Sequence, residues 1–127
     1  MERHNMTKKE KAAWKKYYKT GKYFVTCIYP CLKYDELWYG GKNPTRKRCW
    51  GWYNRLRDAI KAIEENYTDI YEDGYYPFAI IEKIPEGVCP LAPPDIQWFQ
   101  WIGDIKTGGY KKCKKPKWSE GICNWAF

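Results

Sequence analysis

The stretch DIQWFQWIG, residues 95–103, constrains the fold more than any other part of this chain. Read as a strand, it sends Trp98, Gln100 and Ile102 to one side and Gln97, Phe99 and Trp101 to the other. A domain of this size is expected to have one core face. Large rings on both sides therefore predict that one side is core and the other a subunit interface or a ligand platform. The chain has 127 residues, enough to bury a core without covalent staples. Tyr and Trp dominate its aromatics, with 12 and 8 copies, and both carry a polar tip suited to half-wet surfaces.

Periodicity and punctuation place the other elements. Thr7-Lys8-Lys9-Glu10 reads as a capping box opening a lysine-rich helix to about Thr20, with Gly21 behind it. KYFVTCIYP, 22–30, is β-branched and aromatic and reads as a strand ended by Pro30. RKRCWGWY, 46–53, alternates, with Arg46, Arg48, Trp50 and Trp52 on one side, wet at its start and buried at its end. Asn54 is the expected cap of a second helix, whose stripe is Leu56, Ala59, Ile60, Ile63 and Tyr67. YYPFAIIEKI, 75–84, reads as a strand, and Pro77 suggests an edge position. A hairpin at Thr107-Gly108-Gly109 leads to YKKCKK, and WSEGICNWAF could form a last strand. The fold class expected is α+β: a mostly antiparallel sheet of about five or six strands with two helices packed against it. A single domain is expected over 1–127, the basic N-terminal helix (about 7–20) being an appendage to a core of about 22–127.

Charge and cysteine usage narrow the function. The net charge of +8 is split unevenly: +6 over residues 1–22, +4 over 23–55, −6 over 56–96 and +4 over 97–127. Such a division can make a basic face that attracts phosphates. The N-terminus lacks the apolar stretch of a secretory signal, and no apolar run reaches the roughly 20 residues of a membrane span. A reducing, cytoplasmic setting follows as the expectation, with Cys27, Cys31, Cys49, Cys89, Cys113 and Cys123 as free thiols. Their spacings do not suit zinc, and no metal or cofactor is expected. GxSxG, Walker, GxGxxG and HExxH signatures are absent, so catalysis is not expected.

The remaining signal is aromatic plus cationic. Rings stack on nucleobases and guanidinium groups pair with phosphates. The two kinds of residue adjoin twice: Arg46 and Arg48 beside Trp50, and Trp98, Phe99 and Trp101 beside the hairpin that carries Lys111 and Lys112. The ligand-binding candidates are Phe99, Arg48, Trp101, Arg46, Lys111 and Lys112.

The run RKRCWGWYNRLRDAIKAIEENYTDIYEDGYYPFAIIEKIPEGV, then WFQW and a GYKK hairpin, resembles small proteins of phages and prophages of Firmicutes. The likeness spans roughly residues 46–113 and rests on Arg48, Gly51 to Tyr53, Ala59-Ile60, Phe78 to Glu82, Pro85 to Gly87 and Trp98 to Trp101. It is similar to the Thoeris anti-defence sponges, which sequester cyclic ADP-ribose-type or cyclic oligonucleotide signals. The resemblance implies a non-catalytic homo-oligomer in the host cytoplasm, with Phe99 stacked on a base and Arg48 on a phosphate. Lys111 and Lys112 come from the residue pattern alone, and the N-terminal helix departs from the family pattern. The alternative expectation is a basic inhibitor or adaptor that binds a host protein or polymeric nucleic acid.

Overall fold

The structure, a computed structural model, describes residues 7–9, 11, 12, 21–30, 46–73, 76–86, 94–104, 106–120, 122 and 124–127. Its frame is one five-stranded antiparallel sheet: β1 (Lys22–Tyr29), β2 (Arg46–Tyr53), β3 (Phe78–Ile84), β4 (Asp95–Ile102) and β5 (Gly109–Cys113). The order across the sheet is β2-β1-β3-β4-β5. β3 is thus the middle strand, not an edge. Pro77 lies just before it, so its missing N–H takes no ladder bond away, and its carbonyl accepts from the Trp101 N–H at 2.8 Å.

The helix α1 (Leu56–Glu64) packs on one face of the sheet. Ala59, Ala62 and Ile63 are its buried positions, three or four residues apart, with Leu56 and Ile60 at the margin. Asn54 does not cap it. Arg55 takes the N-cap place without a side-chain bond, and the Asn54 carboxamide oxygen accepts from Lys22 Nζ at 2.5 Å instead. The helix stops at Glu64, before the stripe reaches Tyr67, which is therefore 48% exposed. Asn66 turns the chain with φ 57°, and its side chain accepts from the Tyr71 N–H at 2.8 Å. A 3-10 segment, Tyr67–Asp73, then brings the Tyr71 ring onto Trp101 and Tyr110. Of the expected N-terminal helix, at about 7–20, the described residues show one helical turn in which the Lys11 N–H donates to the Thr7 carbonyl.

Both faces of β4 are core. Phe99 is fully buried on the helix face with Val25, Cys27, Ile63, Ala79, Ile81 and Tyr110. Trp98 is buried on the other face with Ile28, Ile80 and Trp125, and Trp118 and Ile122 pack against them. What covers that second face is the chain's own segment after β5. It is not a strand in its described residues. It runs through a 3-10 turn, Lys117–Ser119, and crosses the sheet as a strap. Edge-to-face contacts at 5.6, 5.7 and 6.3 Å link Trp98, Trp118 and Trp125. Each such pair is worth about 0.5–1.5 kcal/mol beyond its buried area.

Candidate functional site: a cationic and aromatic edge strand

The six sequence-derived candidates do not converge. Phe99 has no exposed surface, so its ring cannot stack on a ligand. Its pairing partner Ala79 and the helix above close over it. Trp101 is half-buried, with Tyr71 and Tyr110 each 5.0 Å away edge-on, and its Nε1 donates to the Gly103 carbonyl at 3.0 Å. Arg46 and Arg48 lie on β2, whereas Lys111 and Lys112 lie on β5, at the opposite edge. Four strand spacings of about 4.8 Å separate those edges by roughly 19 Å. The two lysines, being neighbours on one strand, also point to opposite faces.

What the fold does bring together is β2 and its flank. The first four residues of β2, Arg46, Lys47, Arg48 and Cys49, are all exposed. Charged side chains on an edge strand discourage sheet-to-sheet aggregation. The Arg48 guanidinium lies 4.1 Å from the Trp50 ring centroid, a cation–π stack. The Trp50 Nε1 is buried and makes no hydrogen bond among the described residues.

Beyond Trp50 the strand changes face. The register slips between Val25 and Thr26 of β1, so that Arg48 pairs with Cys27 but Trp52 pairs with Phe24. Gly51, at φ 134°, takes the backbone conformation this bulge needs. Trp52 is carried to the strap face and is 52% exposed rather than buried. Lys22 Nζ stands 5.2 Å from its ring centroid. Phe24 beside it meets the Phe127 ring at 5.7 Å and 66°. Phe127 is itself 65% exposed, and its main-chain oxygen accepts from Lys47 Nζ. Trp52, Lys22, Lys47 and Phe127 are absent from the sequence-derived set. A glycine inside a strand pattern, Trp50-Gly51-Trp52, was the one local signal that could have split the two indoles between faces.

A buried carboxylate supports this region from below. Glu82, on β3, has no exposed surface. Its Oε2 accepts from the Trp125 N–H at 2.8 Å and its Oε1 from the Ala126 N–H at 3.0 Å. Burial is the main cause that pushes its pKa up to about 7, with Asp95 adding repulsion. The two N–H donors and Lys47 pull the other way. Asp95 in turn accepts from Trp98 Nε1 at 2.9 Å and pairs with Lys115 at 3.1 Å.

Cys49 and Cys113 are free thiols, and the buried Cys27 Sγ is hydrogen-bonded to the Tyr110 hydroxyl at 3.6 Å; Cys31, Cys89 and Cys123 lie outside the described residues. Among the described residues no helix is long and apolar enough to cross a membrane. Comparison with known protein families, curated proteins and solved structures finds no match.

Proposed function

We propose that the protein is a non-catalytic binder of ligands that combine an unpaired base with phosphate, and that the β2 edge is its seat. The observation that carries this reading is Trp52: a large ring, half in solvent, with the Lys22 ammonium beside it and Lys47 further along the strand on the same face, while Arg46 and Arg48 stand on the other face of this edge strand. Ring and cation answer the two halves of a nucleotide, by stacking and by charge. Single-stranded nucleic acid is the ligand this arrangement favours. The groups are strung along a strand of eight residues, roughly 26 Å, and do not close around a point.

A second reading keeps the function implied by the resemblance, sequestration of a cyclic or ADP-ribose-type signal by a phage-type anti-defence protein. It draws on the fact that one exposed ring and one adjacent ammonium suffice for one base and one phosphate. A homo-oligomer would then supply the groups that a single chain holds apart at its two edges.

Titration of a short fluorescein-labelled single-stranded DNA at several salt concentrations separates the readings. Three or four phosphate contacts give a log–log slope of about −2 to −3. A shallow slope with DNA, combined with tight binding of cyclic ADP-ribose, favours the second reading. Absence of binding to either defeats both and leaves the open β2 edge to strand addition by a protein partner.

A further inference from the structure

The cost of burying Glu82 asks for an explanation in the strap. A carboxylate taken out of water at the middle of a sheet is unfavourable unless it is hydrogen-bonded. Its strap bonds are to main-chain N–H groups, those of Trp125 and Ala126, and so depend on where the strap lies and not on which side chains it carries. The residue that follows is Phe127. Its ring rests against Phe24, and its carbonyl is tied to Lys47. Phe24 is the direct cross-strand neighbour of Trp52 on the same face and of Glu82 on the other side. Trp52 thus pairs with Phe24 across the strands while the Phe127 ring meets the Phe24 ring, and both Trp52 and Phe127 leave more than half of their surface to solvent. An apolar ring that only filled a gap in the core would be covered; this one is presented.

We propose that Phe127 is a second stacking surface of the binding site, beside Trp52, and that Glu82 is the positioning residue that holds it there. The inference rests on the base-binding reading of β2 and extends it. The site spans β1, β2 and the end of the strap, with Phe24 as its floor. Its footprint is two adjacent unpaired bases, with Lys22 and Lys47 on the phosphates that flank them. Glu82 never touches the ligand. It acts through the Trp125 and Ala126 amides, which set where Phe127 stands.

The test uses the full chain and fluorescence anisotropy with a short labelled single-stranded DNA of mixed sequence. Trp52→Ala and Phe127→Ala are each expected to weaken binding about tenfold. Phe127→Trp should retain the affinity that Phe127→Ala loses, because the indole also stacks. Glu82→Gln leaves one strap N–H facing an amide nitrogen, and should weaken binding several-fold in the parent. In the Phe127→Ala background the same substitution should change affinity no further, although it still shifts the melting temperature. A purely structural role for Glu82 would move melting alone. Loss of affinity in Trp52→Ala with none in Phe127→Ala overturns the inference and leaves the base-binding reading standing. No loss in either variant overturns that reading itself. An effect of Glu82→Gln that persists undiminished without the Phe127 ring overturns the positioning role. Should Glu82→Gln not fold, the contrast between Phe127→Ala and Phe127→Trp decides whether the ring is part of the site.

Discussion

The two faces of the sheet solve the same problem with different materials. On the helix face, α1 lays Ala59, Ala62 and Ile63 over Val25, Ala79, Ile81 and Phe99, and the buried Tyr110 hydroxyl donates to the Tyr76 carbonyl at 2.9 Å. The covering there is done by a regular element with an apolar stripe. On the strap face a segment with no long regular element does the covering. It brings two indoles, Trp118 and Trp125, and needs an ionisable group, Glu82, to anchor it. A helix satisfies its own backbone, whereas an irregular segment must find partners for its amides in the surface it covers. The buried carboxylate is the strap's substitute for helical hydrogen bonds. It makes that face responsive to conditions in a way the helix face is not.

The largest expected effect lies on the helix face. Phe99→Ala should cost about 3–5 kcal/mol of unfolding free energy by urea titration, since the cavity opens under a helix that cannot collapse into it. A loss under about 1 kcal/mol would mean that Phe99 is not the core residue its burial makes it.

The next effect belongs to the strap face alone. Glu82 has an ordinary pKa of 4.5 and is held near 7 in the fold by burial. The folded chain therefore keeps its proton where the unfolded chain has lost it. This group's contribution is most favourable below about 4.5 and is lost as pH rises to about 7. The span is worth up to roughly 3 kcal/mol as an upper bound. Glu82→Gln should flatten that part of the pH–stability curve measured by denaturant titration. An unchanged slope would place the titration elsewhere.

Smaller again is Trp52→Ala. Binding of single-stranded DNA should weaken by about 1–3 kcal/mol, with stability changed by about 0.5 kcal/mol or less, because half of the ring is already in water. The smallest effect is at the far edge: Lys111→Ala with Lys112→Ala should leave the melting temperature unchanged and the DNA affinity within about twofold of the parent, in keeping with exposed side chains remote from β2. A large loss there would join the two edges into one site and break the comparison.

The strands were written plainly in the sequence. β-branched and aromatic runs marked β1, β2 and β4 to within a residue of their observed ends, and Ala59, Ile60 and Ile63 announced the helix stripe. Three things were not legible, each for a physical reason. Pro77 looked like an edge signal because sequence alone does not show that the ladder begins one residue later. Alternation put Trp52 with Trp50, but a one-residue bulge inverts every side chain beyond it. The face opposite the helix looked open because its cover comes from residues beyond β5 whose contacts with the sheet are long-range, and no local periodicity encodes a strap. That last point misdirected the site: with one face of β4 taken as free, Phe99 became a stacking ring, while the free ring was Trp52.

The strap cluster has an optical consequence. Trp98, Trp118 and Trp125 stand nearly perpendicular in pairs, at 89°, 86° and 78°. Indoles held this close in a fixed, chiral arrangement couple their electronic transitions, and the coupling disappears once one ring swings away. Near-ultraviolet circular dichroism therefore reads the seating of the strap directly, without a label. The same spectrum followed during ligand addition would register any movement of the strap as a change of band shape.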